Sequence, residues 1–175
     1  ERPPFPVRRF TVAEYQRMGE LGILTEDDRV ELLEGWIVPK MHRSPPHDGT
    51  IEILQQWLLQ TLPAGWRCRI QSALVTADSQ PEPDLVVVRG DPIERLRRHP
   101  GPEDIGLVIE VAGTTLESDR NDKARIYARA KVPCYWIVNL IDQKIEVRTE
   151  PTGPRRHPVF RQESIHQRDD QIQLV

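Results

Sequence analysis

Two short runs, DLVVVR at 84–89 and LVIEVA at 107–112, constrain this chain more than any other feature. In each, residues that would point to opposite faces of a sheet are apolar. Strands apolar on both faces belong in the middle of a sheet covered on both sides. Each run also carries one acid. Asp84 stands at the entrance of the first, behind Pro83, and Glu110 lies inside the second on the face shared by Val108 and Ala112. A carboxylate on such a face costs several kcal/mol unless it is paired, hydrogen-bonded or bound to a metal.

The remaining elements follow from local signals. Thr11-Val12-Ala13-Glu14 fits a capping box opening a short helix towards Gly22. RVELLEGWIV (29–38), interrupted by Gly35, reads as a strand or hairpin. Ile51, Leu54, Trp57, Leu58 and Leu62 recur at helical spacing over 44–63, and Pro63 closes that helix. RCRIQSALVTA (67–77) reads as a strand, and DPIERLRRHPGPED between the two central runs as an exposed loop with a helical turn. Residues 117–131 predict one helix with acids in its first turn and bases later, as the macrodipole favours. CYWIVNL and KIEVRTE predict a hairpin around Ile141-Asp142-Gln143, and VFRQESI and QIQLV read as short strands in a turn-rich end. The order is mixed α and β in a single domain, 1–175, with 1–8 a loose N-terminal segment and 151–175 a turn-rich C-terminal extension.

Composition narrows the function classes. A balance of 38% hydrophobic and 29% charged residues is that of a soluble globular chain. The net charge of -3 gives no basic bias, so global charge does not announce a nucleic-acid partner, although a local basic face is compatible with it. Cys68 and Cys134 are far apart and form no CxxC pair, as expected of free thiols in a reducing cytoplasm. No apolar run approaches the roughly 18 residues that span a bilayer, so no membrane association and a cytoplasmic location are expected. The bases comprise twenty Arg and four Lys, which makes each lysine position worth weighing.

Asp84 and Glu110 have two readings. They either converge from neighbouring strands on a divalent cation, or serve separately as a turn residue and an arginine's partner. Hard oxygen ligands suit Mg²⁺, with Mn²⁺ as a substitute. Lys123 lies four residues beyond Asp119 on the helix after Glu110, so the two share a face. That pair is either an exposed salt bridge of little value or an ammonium set beside a metal and a phosphate.

These residues carry a resemblance. Pro83-Asp84, then Glu110 in a strand, then a lysine, resembles the PD-(D/E)XK nuclease superfamily. More closely, the chain resembles the Uma-type family of restriction-endonuclease-like proteins over roughly residues 8–148. FTVAEY (10–15) is similar to that family's opening helix, VELLEG (30–35) to its ELxxG segment, and His47 to the histidine opening its second helix. Pro83-Asp84-Leu85 is similar to its PD strand. LVIEV (107–111), with Asp119, Lys123 and Tyr127, resembles its EV…D…K…Y block, and VPCYWIV (132–138) its VPEYWIV signature. The chain departs from the pattern at four places. Ala112 stands where a typical superfamily member has lysine, which moves that role to Lys123. Gly113 replaces a serine, Cys134 a glutamate, and Asn139-Leu140 an Asp-Pro.

The resemblance implies a restriction-endonuclease-like α/β core, a mixed β-sheet flanked by α-helices. It also implies a Mg²⁺-dependent endonuclease acting on DNA as a homodimer. Asp84, Glu110 and the Val111 backbone carbonyl would hold the metal, and Lys123 would complete the catalytic set. Glu31, His47 and Asp119 are accessory candidates. Glu31 is equally an edge-strand carboxylate, and His47 equally a helix-start histidine bonded to backbone. Arg95, Arg97, Arg98, Arg120, Arg125 and Arg129 form either a phosphate-tracking face or a solvated charged surface. The alternative to the enzyme is a catalytically silent nucleic-acid-binding or scaffolding protein that keeps the fold.

Overall fold

The computed structural model describes residues 6–41 and 43–172. Thr11 caps helix α1 (Val12–Glu20) as its sequence predicts: its hydroxyl accepts from the Glu14 amide, and the Glu14 carboxylate accepts from the Thr11 amide. The next segment is the hairpin of β1 (Val30–Leu33) and β2 (Trp36–Pro39), closed by Glu34 and Gly35. Both turn residues have positive φ, 49° and 79°, the geometry that matches the twist of a tight hairpin. Glycine is further required because a Cβ at position 35 would lie 2.6 Å from Cβ of Arg9. Glu34 then accepts hydrogen bonds from Arg125 and Arg129 and ties the hairpin to a distant helix.

Helix α2 (Pro45–Thr61) precedes a six-stranded sheet. Its strands are β3 (Trp66–Ile70), β4 (Leu85–Arg89), β5 (Ile105–Ala112), β6 (Cys134–Asn139), β7 (Lys144–Pro151) and β8 (Phe160–His166), in that spatial order. Among the described strands only β5 and β6 pair in parallel, and the connection between them carries helices α3 (Leu116–Ser118) and α4 (Ala124–Arg129). The expected mixed sheet flanked by helices is therefore what forms.

Period-two alternation splits the core into two layers. Leu85, Val87, Ile109, Val111, Trp136 and Val138 pack with Ile51 and Leu58 of α2. Val86, Val88, Val108, Ala112, Tyr135 and Ile137 pack with Ala124, Ile126 and Tyr127 of α4. Each central strand thus contributes to both layers, as the doubly apolar runs require. Glu110 belongs to the α4 side by the same alternation.

A register shift between Val87 and Val88 leaves Gly106 as an extra residue of β5. A Cβ there would lie 2.6 Å from the Trp66 ring, so only glycine lets that indole cover the strand.

Three expectations need correction. The helix over 117–131 is interrupted: Asp119–Lys123 is a π-helical turn between α3 and α4, and Lys131 has φ 61°. The strand predicted over 67–77 stops at Ile70, because Gln71 takes φ 44° and the chain loops back to hold the hairpin through Gln80 and Leu32. VFRQESI does form a strand and supplies β8 at the sheet edge, whereas Gln171 and Ile172 do not extend it and 173–175 lie outside the described residues. Residues 1–5 of the expected loose N-terminal segment are likewise outside them. Among the described residues, no helix is long and apolar enough to cross a membrane.

Candidate active site

The antiparallel register Leu85↔Ile109 sets Asp84 beside Glu110 on neighbouring strands. Asp84 is fixed from two sides. Its Oδ2 accepts from the Val111 amide at 2.8 Å and lies 3.1 Å from Nε2 of His47, which the first turn of α2 presents. That hydrogen bond raises the His47 pKa, outweighing the opposing effect of burial. The observed contact of Val111 is thus made by its N–H.

Glu110 points from β5 into the α4 layer and is almost fully buried. Its Oε1 accepts from the Tyr127 hydroxyl at 2.7 Å and from Nζ of Lys123 at 3.0 Å. Lys123 ends the π-helical turn, where its ammonium also lies 3.7 Å from Glu31 and 4.0 Å from Asp119. π-helical turns are rare and concentrate at functional positions. Glu31 comes from the hairpin and accepts from the Glu82 amide with its other oxygen. Asp119 is buried, and its carbonyl accepts from the Tyr135 hydroxyl. All six candidate side chains are therefore brought to one end of β4 and β5.

The electrostatics of the group are unbalanced, with four carboxylates around one lysine. Burial pushes the Glu110 carboxyl up to about 8, Asp119, Asp84 and Glu31 add to that, and Lys123 opposes it. Asp119 is raised by burial in the same way. Burial acts to lower the Lys123 pKa, but Glu110, Glu31 and Asp119 raise it more, so the ammonium stays charged. The group holds more acid than its own base neutralises.

Tyr127 was legible only as part of the family block, although the signal for its contact was present: it follows Lys123 by four residues, on the same helical face. The departures from the family pattern lie on or beside strands β5 and β6. Ala112 is fully buried against the α4 layer, and the lysine reaches Glu110 from the helix instead. Cys134 faces the α2 layer. Asn139 accepts from the amides of Ile141 and Asp142 and so closes the β6–β7 turn. The arginines expected as one face are largely committed elsewhere. Arg95 and Arg98 bind Asp104, Arg120 binds Glu146, and Arg125 and Arg129 bind Glu34.

Among the described residues, no three His, Cys, Asp or Glu side chains form a ready metal-ligating group. The donor set is smaller: Oδ1 of Asp84 and Oε2 of Glu110 have no hydrogen-bond partner among those residues. Mg²⁺ is commonly held by one or two carboxylates, with waters and substrate phosphate oxygens filling its other positions. Two open carboxylate oxygens in an acid-rich pocket fit that requirement.

A family model described as "Uma2: Putative restriction endonuclease" matches residues 12–174. Among solved structures, a "putative nuclease belonging to DUF820" from Anabaena variabilis ATCC 29413 aligns with a TM-score of 0.64 and 15% identity. The alignment covers 95% of this chain and 89% of that one, a likeness of fold. No curated protein matches the sequence.

Proposed function

Because this chain belongs to the Uma2 family, described as putative restriction endonucleases, we propose that it is a metal-dependent endonuclease that hydrolyses phosphodiester bonds in DNA. The observation that carries this reading is the convergence of Asp84, Glu110 and Lys123 at one end of β4 and β5.

Asp84 and Glu110, with the Val111 carbonyl, would hold Mg²⁺ or Mn²⁺. When bound, the ion supplies a Lewis acid that offsets charge on the phosphate and lowers the pKa of water. The protein's own groups have separate tasks. The Val111 amide and His47 keep Asp84 from turning away, and Tyr127 holds one oxygen of Glu110 so that the other stays available. Lys123 keeps a fixed positive charge where negative charge develops on the phosphate, which is most effective in a site that excludes water. Glu31 and Asp119 keep that ammonium charged and in place.

Supercoiled plasmid incubated with the wild-type chain should be nicked in Mg²⁺ or Mn²⁺ and left intact in EDTA. Absence of nicking under every metal would favour the silent binding protein. A homodimer belongs to the same reading, because two sites about a twofold axis suit cutting two strands. Light scattering should then give twice the 20.2 kDa mass of the chain, and a monomer would remove that part of the proposal.

A further inference from the structure

Beside the acid group opens a cleft of about 1330 Å³, bounded by α1, by β1 and by the 91–103 connection. Gln71 and Glu82 also line it. The Gln71 amide donates to the Asp84 carbonyl, and the Glu82 amide donates to Glu31. The cleft therefore runs up to the residues that hold the candidate site together.

Arg69 stands out at its edge, behind the lining residues Arg95 and His99, with both of which it interacts electrostatically. It lies on β3 opposite Val86, so it is two residues, about 7 Å, along the sheet from Asp84. Its strand neighbours Cys68 and Ile70 pack on the α2 layer, which turns Arg69 to the side of the sheet that carries Glu110. Arg69 is half-buried, yet among the described residues its guanidinium makes no hydrogen bond or ion pair. The bases around it differ: Arg95 binds Asp104, and Lys40 forms a short ion pair with Glu82. Burial and the nearby Arg95 depress the Arg69 guanidinium, and burial and Arg69 in turn depress the ring of His99. A half-buried guanidinium crowded by other bases is relieved by an anion, and its planar fork suits phosphate oxygens. In the lining itself, Arg97 is exposed and also has no ion pair among the described residues. Glu20, Glu26 and Glu103 line the cleft too, so the grip is local to Arg97 in the lining and Arg69 at its edge.

We propose that this cleft takes the DNA backbone, Arg69 gripping the phosphate next to the one cut at Asp84 and Glu110, and Arg97 a phosphate further out. The identity of the ligand rests on the nuclease reading; the anion site rests on two arginines whose side chains have no partner among the described residues.

The test measures binding without cleavage: fluorescence anisotropy of a short labelled duplex with the full chain in EDTA, across a salt series. Arg69→Gln and Arg97→Gln should each weaken binding about five- to tenfold and reduce the slope of log K against log salt by about 1, as loss of one phosphate contact does. Arg69→Lys should keep the slope, and Arg155→Gln, outside the cleft, should change nothing. The Arg69→Gln melting temperature should not fall, since no acid loses its partner. Wild-type binding that both glutamine variants reproduce would overturn the groove, as would a wild type that does not bind duplex at all. Plasmid nicking in Mg²⁺ or Mn²⁺ separates the two ideas. A wild type that nicks, with arginine variants that bind normally, sinks the groove and leaves the nuclease. Salt-dependent binding lost in Arg69→Gln, with no nicking under any metal, sinks the nuclease and keeps the groove.

Discussion

Lys123→Met is expected to reduce metal-dependent nicking by about 10³-fold or more and to lower the melting temperature in EDTA by roughly 6–12 °C. The stability part follows from charge rather than packing, since methionine is of similar length and fills the same space. Removing the ammonium leaves Glu110 and Asp119 buried and Glu31 nearby, with no other cation within 4.0 Å among the described residues. Breaking a buried ion pair from one side costs about 3 kcal/mol or somewhat more, and each kcal/mol moves the midpoint of a chain this size by about 2–4 °C. Lys123→Arg should recover part of the stability but little activity, because a planar guanidinium cannot occupy the point taken by Nζ between three carboxylates. Thermal melts followed by circular dichroism, with plasmid nicking on the same preparations, read both effects. An unchanged midpoint would mean that the acids do not depend on this lysine. Full nicking by a folded Lys123→Met would remove it from the reaction.

How much of this site can be read from the sequence depends on the range over which each residue acts. Glu110 stands out on inspection because one acid in LVIEVA breaks a doubly apolar strand, and a buried charge must have a partner. Asp84 is legible for a related reason, as the acid at the mouth of the other such strand. The capping box at Thr11 and the Glu34-Gly35 turn are local chemistry, complete within four residues. The π-helical turn over Asp119–Lys123 leaves no such mark. Its residues read as ordinary helix, and the widening is set by what the segment packs against, which local propensity does not record. Arg125 and Arg129 read equally well as a solvated face or a phosphate track, yet they close on Glu34, about ninety residues earlier in the chain. Arg69 is the reverse case: nothing local distinguishes it from the other nineteen arginines. Only the alternation of β3 and the lack of an acid opposite it, among the described residues, single it out.

Glu110→Gln is expected to separate function from stability, lowering nicking by about 10³-fold without lowering the melting temperature of the metal-free protein. Glutamine has the shape of a protonated glutamate, and its carbonyl oxygen still accepts from Tyr127 and Lys123. It removes one negative charge from a pocket with three other acids and one lysine, so like-charge repulsion falls. The pH dependence gives the sharper test. Burial and the neighbouring acids raise the folded-state carboxyl of Glu110 from 4.5 to about 8. For a group raised in this direction, its contribution to stability is fully present below 4.5 and is lost as pH rises towards 8, since the folded state then has to ionise a buried acid. Measured in EDTA, wild-type stability should therefore decline across that window, and Glu110→Gln should decline less. Added Mg²⁺ should stabilise the wild type most at the upper end, where the carboxylate is fully available, and should barely affect the variant. A variant whose stability tracked the wild type at every pH would show that Glu110 is not the buried, raised acid of the site. A variant that lost stability at every pH would mean that the carboxylate is chiefly Lys123's structural partner, and the metal reading would lose its central acid.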